Sequence, residues 1–261
     1  MKFASIGSGS SGNGLVVVEK ETKLLLDCGF GLRDAVHRLQ EKEINPDELS
    51  GILITHEHED HASGAYKLAS KYQIPVWMTY GTHKMISRLL PKQYHAKPSF
   101  QINIIESHEP IEIGDIEISP FPVPHDAREP VQYIFSNGQK RLGVLTDTGC
   151  STPHIEMMLS QCHALVLECN HDLDMLMQSN YPWSLKQRVS GRLGHLDNQT
   201  AGNILRKIDN TKLQHIIAAH LSEKNNSPDI AKDALSKALV CEDHWIGIAD
   251  QNCGFDWREI L

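Results

Sequence analysis

The chain has 261 residues, 40% of them hydrophobic and 22% charged, which excludes a disordered or fibrous protein. Its formal net charge is −8, which argues against a protein that coats nucleic acid non-specifically. No apolar run reaches the roughly 18 residues of a membrane span, and the opening MKFASIGSGSSGNG lacks the apolar stretch of a signal peptide, so a cytoplasmic location without membrane contact is expected.

Residues 2–6 read as a first strand that runs into Gly7-Ser8-Gly9-Ser10-Ser11-Gly12-Asn13-Gly14. That loop is either an anion cradle built from backbone N–H groups and hydroxyls or a plain flexible turn. Residues 15–18 and 23–26 read as a hairpin, and Asp27 ends its second strand, placed to brace a metal ligand. Residues 31–43 have helical spacing of Leu32, Val36 and Leu39, the pattern of an amphipathic helix. The β-branched run from Ile52 to Ile54 is a buried strand that ends in Thr55-His56-Glu57-His58-Glu59-Asp60-His61. Helices are predicted at 63–72 and 80–90, and strands at 75–78, 101–105 and 111–118. After Phe121-Pro122-Val123-Pro124-His125-Asp126 come strands at 131–135 and 141–145, joined by the Asn137-Gly138 turn. The second of these enters Thr146-Asp147-Thr148-Gly149. A strand at 164–167 ends in Glu168, residues 171–193 are mixed, and 199–208 form a helix. The strand at 214–218 leads to His220, followed by a helix at 228–239 and a last strand at 244–248. With no repeat and no low-complexity linker, residues 1–261 read as a single α/β domain. The six cysteines form no C-x-x-C pair and are expected to be mostly reduced core residues.

The His/Asp run carries the chemistry. Imidazole and carboxylate are ligands for zinc, manganese and related metals. Four such side chains within six residues are too many for one tetrahedral ion that must also bind substrate. His56 and His58 can reach one ion while Asp60 and His61 face another, so the segment points to two metals side by side. The pattern then recurs: a strand end delivers a metal-type or acid–base side chain at Asp27, His56–His61, His125, Asp147, Glu168 and His220. These positions define one pocket along one sheet edge.

The H-x-H-x-D-H run, followed in order by a histidine, an aspartate and a final histidine, resembles the metallo-β-lactamase fold superfamily. The resemblance implies an αββα sandwich, with two mixed sheets flanked by helices. It implies that His56, His58 and His125 hold a first divalent metal, that Asp60, His61 and His220 hold a second, and that Asp147 bridges them. The metals would be zinc, manganese or iron. The lactamases carry cysteine where Asp147 stands, whereas hydrolases of phosphodiesters and thioesters carry aspartate. The segments Ser8–Asn13, Glu168–Asp172, Gly194–Asn198 and His220–Asn226 are similar to YycJ/WalJ-type proteins, which are 5′-to-3′ exonucleases on DNA. One departure is Asp197, where that group has serine. The layout is also similar to ribonuclease Z, whose Glu and His pair outside the metal shell would be Glu168 and His195 here.

The resemblance implies a phosphodiester hydrolase, a 5′-to-3′ exonuclease on DNA, in which Asp60 orients water and His195, held by Glu168, protonates the leaving alkoxide. The partner is then nucleic acid, DNA ahead of RNA; no protein partner is implied. Lys186, Arg188 and Arg192 form a basic run ahead of His195 that can hold a phosphate backbone. Ser10 and Asn198, inside the similar segments, are further substrate-binding candidates. Tyr181 and Trp183 are read as core residues, with base stacking the alternative. His108, His154, His163, His215 and His244 are read as structural or surface histidines. The alternatives are a ribonuclease or other phosphodiesterase of this fold, or a thioester hydrolase of the glyoxalase II kind.

Overall fold

The computed structural model of the chain describes residues 1–89 and 99–261. Strands β1 (Lys2–Gly7), β2 (Gly14–Glu19), β3 (Thr22–Leu26), β4 (Gly51–Leu53), β5 (Val76–Thr79) and β6 (Ile102–Ile105) lie side by side in chain order. A second sheet runs β7 (Ile111–Ile113), β8 (Ile116–Pro122), β9 (Val131–Ser136), β10 (Arg141–Leu145), β11 (Ala164–Glu168), β12 (His215–Ala219) and β13 (Ile246–Ile248), also in order. The last strand, β14 (Phe255–Glu259), returns to the first sheet and pairs antiparallel with β1. Both sheets are mixed. Pairing is antiparallel from β1 to β3 and parallel from β3 to β6. It is antiparallel from β7 to β10 and parallel from β10 to β13.

Alternation along the strands sorts side chains between faces. In β3, Leu24 and Leu26 point to the inter-sheet core with Phe3, Tyr133, Phe135 and Val166. Leu25 points the other way, with Ile52 and Ile54, onto the helices α1 (Leu32–Glu41) and α3 (Ala65–Tyr72), through Ala35, Leu39 and Leu68. On the second sheet, Leu165, Leu167 and Ile216 face α5 (Pro153–Leu159), α8 (Asn198–Lys207) and α9 (Pro228–Leu239). The layers are therefore helix, sheet, sheet, helix, as the family resemblance implies. Each fully buried Leu or Ile in these layers contributes roughly 1.5–3 kcal/mol. Among the described residues no helix is long and apolar enough to cross a membrane.

Four details differ from the sequence reading. Residues 111–118 are not one strand. Gly114 takes the left-handed conformation at φ +58°, so the chain turns and β7 pairs antiparallel with β8. Helix α5 was not expected, although Thr152 caps it by accepting from Ile155 N at 3.2 Å and Pro153 fills its first turn. The mixed segment resolves into short helices α6 (Leu173–Gln178) and α7 (Trp183–Val189). Strand β14 was also unexpected. Helix α4 (Tyr80–Leu89) matches its prediction up to Leu89, and residue 90 of that prediction lies outside the described residues.

Candidate active site

The edge that the sequence points to is shared by both sheets. Asp27 follows β3 and the His56–His61 run follows β4, partly on the short helix α2 (Glu59–Ala62). Asp147 follows β10, Glu168 ends β11, and His220 follows β12. His125 sits between β8 and β9. Three of these strand ends are left-handed without being glycine: Asp27 at φ +59°, Asp147 at +49° and His220 at +56°. Such a backbone costs about 1 kcal/mol or more per residue and persists where the surroundings enforce it. Here it turns each side chain off its strand into the common pocket.

Two groups of donors result. In the first, His56 Nε2 lies 3.0 Å from His58 Nδ1, and His125 Nε2 lies 3.2 Å from the same atom. In the second, Asp60 Oδ2 is 3.5 Å from His61 Nε2 and 3.4 Å from His220 Nε2. Asp147 reaches both: its Oδ2 is 2.9 Å from His61 Nε2 and its Oδ1 3.5 Å from His220 Nδ1, and with His56 and His61 it forms a third cluster. Among the described residues there are four such clusters of donors, one of which includes Glu168 and His195, and each has its ligand atoms within 4.8 Å of one another.

Hydrogen bonds behind the ligands fix which ring nitrogens face inward. Asp27 accepts from His61 Nδ1 at 2.8 Å, from Thr55 Oγ1 at 2.8 Å and from Thr55 N at 2.8 Å. Thr55 Oγ1, having given its proton to Asp27, accepts from His56 Nδ1 at 3.0 Å. His125 Nδ1 donates to Gly194 O at 3.1 Å. His56 and His125 thus present Nε2 lone pairs to the pocket, and His61 points its Nε2 the same way. His58 Nδ1 carries at most one proton and cannot satisfy both the His56 and His125 lone pairs that meet it. A cation at the centre of the three would satisfy all of them. Asp147 Oδ2 is likewise buried without hydrogen-bond geometry to any partner. The donor set therefore fits divalent metal, and these clusters could hold it.

Electrostatics separates the groups. Burial among other imidazoles holds His56 well below the ordinary histidine range, and burial also lowers His125. Both are therefore neutral at pH 7, the form that could bind a metal. Burial opposes charge on His61 too, but Asp147, Asp60 and Asp27 overcome it and raise that ring well above its usual value. His220 is raised to about 10: burial opposes the shift, and Asp147 drives it. Burial would raise the Asp147 and Asp60 carboxyls, yet the neighbouring His220 and His61 hold both below the usual range. The first group is rich in neutral nitrogen, and the second sets Asp60 and Asp147 against two imidazoles whose protons a divalent cation would displace.

The Gly/Ser loop supports this pocket rather than opening to a ligand. Asn13 Nδ2 lies 3.0 Å from His61 Nε2 and donates to Asp60 O at 3.2 Å, and Ser8 Oγ accepts from His220 N at 3.0 Å. Gly29 lies so close to Asp60 that a Cβ there would stand 1.9 Å from Asp60 O. The sequence reading placed Ser8 and Asn13 only in a candidate anion cradle and a family-like segment, and gave Thr55 no role. Small polar residues acquire such roles only through the fold, and the sole sequence signal was their place beside the motifs.

His195 stands at the pocket mouth with Nδ1 2.7 Å from Glu168 Oε1, and Glu168 is fully buried. Glu168 Oε2 accepts from Thr148 N at 3.0 Å and Leu196 N at 3.2 Å. Burial disfavours the His195 cation, but Glu168 and Asp147 raise its pKa above the ordinary value. The remaining candidates divide. Arg188 is exposed on α7, and its Nε donates to Asp126 Oδ2 at 2.7 Å; Asp126 Oδ1 is 3.6 Å from His125 Nε2. Arg192 is exposed beside Gly149, where the backbones approach so closely that a Cβ on Gly149 would meet Arg192 C at 2.3 Å. Lys186 is not free for substrate: it is buried and its Nζ donates to Met177 O at 2.6 Å. Asn198 is also turned inward, where its amide pairs at 2.9 Å in both directions with Asn226. Ser10 is exposed on its loop, and none of the described hydrogen bonds brings it to the pocket. Asp197 caps α8 by accepting from Thr200 N at 2.9 Å, a task that serine would also perform. Trp183 is not a core residue; it is 64% exposed at the start of α7.

A sequence model described as the beta-lactamase superfamily domain matches residues 22–220. The chain belongs to that superfamily. Its relatives include a protein of Bacillus anthracis named exodeoxyribonuclease YycJ, 35% identical over 250 residues, covering 96% of this chain and 92% of the relative. A Streptococcus pneumoniae protein named exodeoxyribonuclease WalJ is 33% identical, covering 95% of this chain and 91% of its own. Among solved structures, the metallo-β-lactamase fold protein YhfI of Bacillus subtilis superposes with a TM-score of 0.75 over 99% of both chains, at 16% identity, and shares the fold. As a member of this superfamily the chain is a metal-dependent hydrolase.

Proposed function

We propose that the chain is a dinuclear phosphodiesterase that removes nucleotides from the 5′ end of DNA. The observation that carries this reading is Asp147, a buried carboxylate within reach of both donor groups, with the Glu168–His195 pair set directly against it. His56, His58 and His125 would hold one divalent ion, Asp60, His61 and His220 the other, and Asp147 both; zinc, manganese and iron all suit this donor set. When bound, the ions would neutralise phosphate charge and acidify the attacking water. Asp60, at the junction of His61 and His220, orients that water. Glu168 fixes the His195 ring through Nδ1, so that Nε2–H is the proton available to the leaving 3′ oxygen. Arg188 and Arg192 sit on the exposed rim and hold the phosphate backbone, with Trp183 on the same segment as a stacking face for a base. The full-length similarity to two proteins named exodeoxyribonucleases supports DNA as the substrate.

The test is substitution of His56 or Asp147 by Ala. Metal content measured by mass spectrometry and hydrolysis of DNA should both collapse, and a variant that keeps its activity would remove the dinuclear mechanism.

A further inference from the structure

A separate cavity lies at the free edge of the second sheet. Its volume is about 490 Å³, inside the roughly 300–1,000 Å³ range of small-molecule sites. β13 ends that sheet, and the cavity is walled by β13, the start of β12, Lys232 of α9 and Arg258 of β14. None of the candidate metal ligands lines it. Its β12 lining, His215 to Ile217, lies three to five positions before His220, roughly 10–16 Å along the strand at about 3.3 Å per residue from the candidate active site.

Its charge is the reverse of the chain's. The protein has 33 acidic and 25 basic residues, yet no Asp or Glu lines this cavity, whereas Lys232, Arg258, His215 and His244 do. Of the nearby acids, Asp233 pairs with Lys237 at 2.7 Å and Asp256 with Lys42 at 2.7 Å. At the C-terminus, Leu261 O accepts from Lys140 Nζ. Beside the cations stands Trp245, 37% exposed, with Ile246 and Ile248 as aliphatic walls.

We propose that this cavity binds a nucleoside monophosphate, either free or as the phosphorylated end of a strand. A phosphate monoester carries about −1.5 to −2 charges at pH 7, which the two cations of Lys232 and Arg258 match. The Arg258 guanidinium can donate to two phosphate oxygens at once, and the indole of Trp245 offers a face to the base. The site goes beyond the phosphodiesterase reading and does not depend on it.

Titration of the metal-loaded protein with dAMP and with deoxyadenosine, followed by calorimetry, tests this. Saturable dAMP binding is expected, with deoxyadenosine at least tenfold weaker. Replacing Lys232→Ala and Arg258→Ala together should weaken dAMP at least tenfold while melting temperature and turnover of a small diester stay unchanged. Competition by nuclease-resistant oligonucleotides with phosphorylated or hydroxyl ends separates the sources. Displacement only by the phosphorylated strand assigns the strand end, and no displacement assigns the free nucleotide. The proposal is overturned if dAMP does not bind, if deoxyadenosine binds equally well, or if the double variant binds dAMP as the parent does, since a nucleotide held at the active site would be indifferent to these two changes. A protein that cleaves no diester yet binds dAMP through Lys232 and Arg258 would end the phosphodiesterase reading and leave this one standing.

Discussion

Replacing Glu168 with Gln isolates the proton-transfer step. The carboxylate is fully buried, holds His195 Nδ1 at 2.7 Å through Oε1, and accepts from Thr148 N and Leu196 N through Oε2. An amide can keep the two backbone contacts through its oxygen, but its NH2 then faces the His195 Nδ1–H. Donor meets donor, and the ring loses both its charge partner and its fixed orientation. A hydrogen bond to a charged group contributes about 1.5–3 kcal/mol, and 1.36 kcal/mol is tenfold in rate, so DNA cleavage should fall about 10- to 150-fold. The loss should depend on the leaving group. An alkoxide leaves poorly without a proton, whereas a nitrophenolate leaves without one. The assay compares kcat on DNA with kcat on a nitrophenyl phosphodiester, with metal content measured in parallel because Glu168 Oε1 also lies 3.4 Å from His220 Nδ1. Equal losses on both substrates at full metal content would refute the role of Glu168 and His195 in donating a proton.

Three further outcomes follow from the geometry. Replacing Arg188 and Arg192 with Ala should lower DNA turnover and flatten its salt dependence, the logarithmic slope falling by up to roughly 0.7–0.9 per lost phosphate contact. Turnover of a small diester should hold, and an equal loss on both substrates would count against a backbone-binding role. Thiol chemistry reports burial: Cys28, Cys162 and Cys169 are buried, Cys150 and Cys241 are partly exposed, and Cys253 is exposed. At pH 8 a thiol reagent should react first with Cys253 and reach Cys28, Cys162 and Cys169 only on unfolding. Burial pushes Cys162 up to about 11 and Cys28 to about 12, from an ordinary 9.0. A raised pKa means that the folded state favours the protonated thiol, so this stability is complete below pH 9 and is lost as pH climbs toward 12. Denaturant melts at stepped alkaline pH should show that decline, and a flat profile would argue that these thiols are not buried.

Strands whose side chains alternate between two apolar faces, or that are apolar throughout, were readable in the sequence. Residues 131–135, 141–145 and 164–167 all fall within strands of the second sheet. β14 was missed although Phe255-Asp256-Trp257-Arg258 alternates apolar and polar residues as a half-buried strand does; four alternating residues are a short signal, and pairing with β1 fixes the strand. The donor residues of the pocket were readable from their chemistry and order, since few other roles require that many imidazoles and carboxylates at strand ends. Their bracing was not. Asn13, Thr55 and Ser8 matter through contacts to residues far away in sequence or hidden inside the motif itself. Lys186 and Asn198 show the opposite error. An ammonium group and an amide within a functional segment suit a substrate, but both serve the local fold by bonding Met177 O and Asn226. The proportion of buried cysteines was overestimated for a similar reason, since a thiol is apolar enough for the core and small enough for the surface.

In the proposed mechanism two divalent ions held around Asp147 drive hydrolysis of a phosphodiester in nucleic acid. Metal-stripped protein, reloaded singly with zinc, manganese or iron and given end-labelled DNA, puts this to the test. Mononucleotides should be released progressively from the 5′ end with at least one of these ions, at about two ions per chain, and none by the stripped protein. Intact DNA under every ion, or unchanged cleavage after the metals are removed, would contradict it.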